Sequence, residues 1–170
     1  QKPLQIENMD IVGKSIYCDE TGGDYFDFFQ FPALGPGKVG IAVGDVVGHG
    51  ISAALLMTTA RAFLRSQMAQ PGDLAQKVAD VNRLLCLDTF ESCDFMTLFL
   101  MVIDSNKREL RWVRAGHDPA IVFDPSSNSI NELNGQGSVL GLDPDWTFEE
   151  YKHSDWSTGQ IIVIGTDGIW

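Results

Sequence analysis

The chain has 170 residues, 44% of them hydrophobic, and a formal net charge of −11. A chain of this size forms one domain and buries roughly 70% of the surface it exposes when unfolded. The acidic balance argues against a nucleic-acid partner, because phosphate backbones are held by clustered Lys and Arg. The longest strongly apolar stretch, residues 95–103, falls far short of the roughly 18 residues a membrane span needs.

Residues 10–18 and 24–31 read as two strands joined by the turn Glu20-Thr21-Gly22-Gly23. After a Pro/Gly loop, residues 38–43 form a short apolar strand that runs into Gly44-Asp45. Residues 51–69 follow, dominated by Ala, Leu, Met and Phe and broken only by Arg61, Arg65 and a few small polar residues; they predict a helix buried on most sides. Gln70-Pro71-Gly72 ends it, and Asp73 supplies a cap for a second helix whose Leu74, Val78, Val81 and Leu85 share one stripe, with Lys77 off that stripe. The short turn between the helices makes them an antiparallel pair.

Residues 95–103 are apolar on both faces, as in a central strand, and Asp104-Ser105-Asn106-Lys107 turns them into a strand at 108–114. A hairpin of 120–123 with 130–133, then strands at 146–152 and 160–164, complete the set. Short connections favour antiparallel pairing. The expected fold is α+β: a β-sandwich of two antiparallel sheets flanked by antiparallel helices, in a single domain spanning 1–170.

Three aspartates sit at glycine-marked reversals: Gly22-Gly23-Asp24-Tyr25-Phe26-Asp27, Gly44-Asp45-Val46-Val47-Gly48-His49-Gly50 and Gly165-Thr166-Asp167-Gly168. Three hard oxygen ligands delivered by strand ends suit Mg²⁺ or Mn²⁺. An acidic surface repels phosphate unless cations are interposed, so the charge of the chain and the carboxylates point the same way, to metal-assisted phosphate-ester hydrolysis.

With Ala115-Gly116-His117-Asp118-Pro119 added, these motifs resemble the bacterial metal-dependent serine/threonine phosphatases of the stage II sporulation and stress-regulator branch, akin to type 2C phosphatases. The resemblance implies a binuclear Mn²⁺ or Mg²⁺ centre at one edge of the sandwich. Asp24 would bind one metal, Asp45 would bridge both, the Val46 carbonyl would add a ligand and Asp167 would hold the second. It also implies hydrolysis of phosphoserine or phosphothreonine by a metal-bridged water, with a phosphorylated anti-sigma factor antagonist as substrate and a sensor or receiver domain upstream. The family pattern continues past Asp167-Gly168 to a further aspartate, so on this resemblance the domain is C-terminally incomplete at Trp170. A catalytically impaired phosphoprotein-binding module of the same fold is the alternative.

Other features carry less. Asp27 is expected to support the metal ligands without binding the metal, so that Asp27→Asn is milder than Asp45→Asn. His49 lies between two glycines at a helix start, where the positive end of the helix dipole disfavours imidazolium, and reads as a loop former. His117 is expected to order its loop through hydrogen bonds, and Arg61 and Arg65, one turn apart, read as a solvated face. Gly44, Gly48 and Gly50 also fit a dinucleotide-binding turn, but Asp45 would face the pyrophosphate and the next element is a helix rather than the strand of a βαβ unit. Cys18, Cys86 and Cys93 have neither zinc-site spacing nor disulfide density, and no basic-then-apolar leader opens the sequence, which together suggest a reducing cytoplasmic setting. A homodimer through an exposed helix face is compatible with the pattern, although no apolar stripe marks one.

Overall fold

The computed structural model describes residues 4–6, 9–15, 22–154 and 156–169. Part of the 10–18 strand, with Cys18, and the Glu20-Thr21 turn lie outside them. The strands are β1 (Leu4–Ile6), β2 (Met9–Ile11), β3 (Tyr25–Phe29), β4 (Lys38–Val46), β5 (Met96–Asp104), β6 (Glu109–Ala115), β7 (Ala120–Asp124), β8 (Ser129–Leu133), β9 (Tyr151–Ser154) and β10 (Ile161–Val163). Between β4 and β5 lie α1 (Gly50–Met68) and α2 (Leu74–Thr89). A five-stranded sheet runs β3-β4-β5-β6-β9 and a three-stranded sheet runs β10-β7-β8, every pair antiparallel, with β1-β2 as a separate hairpin.

The strand period of two divides the five-stranded sheet between two cores. Tyr25, Phe29, Ala42, Val46, Met96, Leu98, Leu100, Val102 and Val113 face the helix pair, packing with Ala60, Leu64, Met68, Leu74, Val78 and Leu85. The opposite side chains, Val39, Phe99, Met101, Ile103, Leu110 and Trp112, pack against Ala120, Val122 and Leu133 of the second sheet. β5 is buried on both faces, as a central strand must be. The helix pair, the two sheets and their antiparallel order therefore agree with the sequence. Antiparallel pairing of β4 with β5 leaves no βαβ unit around Gly44, Gly48 and Gly50.

Two buried polar side chains of α2 tie the helix to its surroundings. Lys77, placed off the apolar stripe, is buried, and its ammonium caps the end of α1 by donating to the carbonyls of Gln67, at 2.7 Å, and Gln70. Burial pushes its pKa down from the ordinary lysine value. Asn82, fully buried on α2, donates to the Asp143 carbonyl at 2.6 Å and accepts from the Gly141 N–H at 2.9 Å, pinning the loop after Leu140 to the helix. Asn82→Leu removes both bonds and strands two backbone groups, so a loss of about 2–3 kcal/mol is expected in urea unfolding.

β4 is longer than expected and includes Gly44, Asp45 and Val46. Gly44 is required there because a side chain would run into the Thr97 carbonyl and the Met96 methyl group on β5. A glycine that reads locally as a strand end is thus the condition for a close strand pair. The pairing carries Asp45 out to the sheet end opposite Thr97. No helix among the described residues is long and apolar enough to cross a membrane.

Candidate metal centre

Asp45 is the penultimate residue of β4, on the face turned away from the helices, and its backbone N–H donates to Thr97 Oγ1 at 3.2 Å. The Gly22-Gly23-Asp24 segment lies directly over it. Val46 N–H approaches the Gly23 carbonyl at 3.4 Å, and a Cβ on Gly23 would stand 2.6 Å from the Val46 carbonyl oxygen and 3.2 Å from Asp45 Oδ1. Gly23 thus admits the Val46 carbonyl and the Asp45 carboxylate to the segment that carries Asp24. Gly23→Ala must move one of these oxygens, and we expect it to cost about 1–3 kcal/mol in thermal unfolding and to weaken Mn²⁺ binding measured on the same sample.

Asp167 opens a short 3₁₀ turn, Asp167–Ile169, at the far end of the chain. Its segment is tied to the same sheet end by His117, whose Nε2 lies 3.1 Å from the Gly165 carbonyl and whose Nδ1 lies 2.8 Å from Thr97 Oγ1. His117 is buried, and desolvation, its largest influence, lowers its pKa below the usual imidazole value. The reading of His117 as a loop-ordering residue agrees with these bonds.

The electrostatics record the convergence. The Asp45 carboxyl is pushed up to about 6, first by burial, then by the charges of Asp24 and Asp167. Two aspartates remote in sequence therefore repel a third across a partly desolvated gap. Among the described residues, no three acidic, His or Cys side chains are gathered tightly enough to hold a metal ion by themselves. The three carboxylates and the Val46 carbonyl would offer oxygen atoms only, a kind of donor that suits hard divalent cations.

Asp27 points to the helix side of β3, where it is fully buried. Arg65 grips it with two bonds, Nε to Oδ2 at 2.6 Å and Nη2 to Oδ1 at 2.7 Å, and Arg61 Nε lies 3.6 Å away. The Tyr25 hydroxyl donates to Oδ2 at 3.1 Å, and burial, followed by the Asp27 charge, raises the phenol pKa strongly. The reading of Arg61 and Arg65 as a solvated face needs correction: both are partly exposed, but both are directed at a buried carboxylate. Two arginines at i,i+4 spacing on an otherwise apolar helix were the available signal. His49, at the N-cap of α1, makes no side-chain capping bond and is exposed. Thr97, one polar residue inside the apolar run of β5, bonds both the Asp45 backbone and His117, contacts that the pattern reading passed over.

An antiparallel sandwich with a helix pair on one face is the fold of the type 2C phosphatase domains. The PP2C phosphatase domain of SpoIIE from Bacillus subtilis superposes with a TM-score of 0.75 at 19% identity, over 89% of this chain and 43% of that one. The RsbU and RsbW domains of Rv1364c from Mycobacterium tuberculosis give a TM-score of 0.72 at 26% identity, over 91% of this chain and 41% of that one. In sequence, the phosphoserine phosphatase RsbU of Bacillus subtilis is 27% identical over 169 residues, 99% of this chain and 48% of RsbU. Residues 35–170 match the family described as stage II sporulation protein E, and this chain belongs to that family. It spans about half the length of RsbU.

Proposed function

We propose that this domain hydrolyses phosphoserine or phosphothreonine esters on a regulatory protein of the anti-sigma factor antagonist type, with two Mn²⁺ or Mg²⁺ ions held by Asp24, Asp45, Asp167 and the Val46 carbonyl. The observation that carries the reading is that segments 22–24, 45–46 and 165–167 meet at one end of the five-stranded sheet, with Gly23 packed against two of the donor oxygens. Family membership and the similarity to RsbU support the same reaction and a place in sigma-factor regulation.

Phosphate monoesters hydrolyse so slowly that enzymes accelerate them by up to about 10²¹-fold, on the order of 20–30 kcal/mol. A single general acid contributes about 10²–10⁴-fold, which is too little. Divalent cations, when bound, supply positive charge to the phosphoryl oxygens and lower the pKa of water. The chain's own task is to hold carboxylates that would otherwise repel the phosphate. In this reading Asp45, partly desolvated and repelled by both of the others, would share its two oxygens between the cations. Thr97 fixes its backbone, and the Gly23 surface keeps the Val46 carbonyl open to the same space.

The test is phosphate release from a phosphoserine protein and from p-nitrophenyl phosphate, with and without Mn²⁺. Mn²⁺-dependent release that disappears with Asp45→Asn supports the reading. Saturable binding of the phosphoprotein without release, under any metal condition, would favour the phosphoprotein-binding module instead.

A further inference from the structure

The three donor segments belong to different parts of the chain, and the bond that spans two of them runs through one side chain. Asp45 N–H donates to Thr97 Oγ1 at 3.2 Å, Thr97 Oγ1 lies 2.8 Å from His117 Nδ1, and His117 Nε2 lies 3.1 Å from the Gly165 carbonyl, two residues before Asp167. Proton bookkeeping gives this relay a single direction. A carbonyl can only accept, so Nε2 carries the proton; in a neutral imidazole Nδ1 then accepts, and Thr97 must donate to it. Thr97 Oγ1 is left with a lone pair for the Asp45 N–H. Every group in the chain is satisfied with one tautomer and one hydroxyl orientation. The Asp45 carbonyl, at 3.4 Å from Thr97 Oγ1, is the poorer competitor for that hydroxyl proton. On its other side the His117 backbone is also fixed, because the Arg114 guanidinium donates to the His117 carbonyl and, at 2.9 Å, to the Gly135 carbonyl.

We infer that His117, acting with Thr97, is a positioning residue that sets the spacing between Asp45 and Asp167 and thereby the affinity of the site for its second cation. The inference rests on the metal-site reading above. His117 itself touches neither carboxylate. Its ring is the strut between β5 and the turn that presents Asp167.

The strut can be removed or replaced without changing its volume greatly. His117→Leu deletes both bonds, whereas His117→Gln offers an amide N–H to Gly165 and an amide oxygen to Thr97. Thr97→Val deletes the hydroxyl and keeps the shape, whereas Thr97→Ser restores it. Mn²⁺ titration calorimetry on the whole 170-residue chain should show His117→Leu and Thr97→Val losing about 10–100-fold in affinity at one site. His117→Gln and Thr97→Ser should recover most of it. Imidazole ¹⁵N spectra of the metal-free wild type should show the Nε2–H tautomer. Thermal unfolding of each variant separates a loss of fold from a loss of spacing, and the threonine pair answers the question if His117→Leu does not fold. Wild-type Mn²⁺ affinity in folded Thr97→Val, or a Nδ1–H tautomer, would overturn the inference. Failure of the site reading looks different: Mn²⁺ binding by the wild type would then be absent or indifferent to Asp45→Asn.

Discussion

Asp45→Asn should abolish Mn²⁺ binding at this site and lower kcat/KM for phosphoester hydrolysis by at least about a thousandfold, near 4 kcal/mol of transition-state stabilisation. Asp45 is repelled by both Asp24 and Asp167, and in the proposed site it would serve both cation positions, so its replacement removes a donor from each. The same change should leave the metal-free chain no less stable, because the Asp45 carboxylate is repelled by Asp24 and Asp167 in the folded state. This opposite effect on function and stability separates a ligand from a structural residue. Calorimetry showing equal Mn²⁺ affinity in the two proteins would remove the claim, and so would a large loss of thermal stability without added metal.

The second large effect concerns stability. Arg65→Met should cost about 3–4 kcal/mol in urea unfolding, more than Asp27→Asn, for which about 1–2 kcal/mol is expected. The asymmetry follows from burial. The Asp27 side chain is fully buried and the Arg65 side chain is 37% exposed, so a released guanidinium regains water while a released carboxylate does not. Arg61, 3.6 Å from Asp27, offsets part of the loss and keeps the expected value toward the lower end for a buried pair. In Asp27→Asn the amide oxygen can still accept from the Phe28 N–H, which now bonds Oδ1 at 2.9 Å. Mn²⁺ affinity in Asp27→Asn should stay near wild type, since the carboxylate faces the helices. The reverse order of destabilisation would contradict the burial argument.

Most of the fold was legible because periodicity carried it. The α2 stripe, the doubly apolar β5 and the hairpin turns all survive in three dimensions, and Asp73 caps α2 by accepting from Gln76 N–H at 3.1 Å. The far end of β4 was not legible. Gly44 reads as a break, and only its neighbour Thr97, 53 residues on in the sequence, shows why a glycine belongs inside that strand. β9 begins at Tyr151 rather than at 146, because Phe148 turns inward to the helix-side core and Glu150 accepts from the Leu74 N–H at 2.9 Å and pairs with Arg111. Tertiary bonds of this kind leave no local pattern. The same holds at the site: the glycine turns singled out Asp24, Asp45 and Asp167, but a lone threonine in an apolar strand and a histidine in a loop became connected only when the sheet brought them together.

The convergence of segments near residues 23, 45, 97, 117 and 165 has a thermodynamic corollary. In the proposed site no fragment of the polypeptide would hold the donors in isolation, so a bound cation would select the native ensemble as a whole and add its binding energy to global resistance to unfolding. Melting temperature should therefore climb with Mn²⁺ concentration, by an increment equivalent to about 4 kcal/mol when the ion is at a thousand times its dissociation constant.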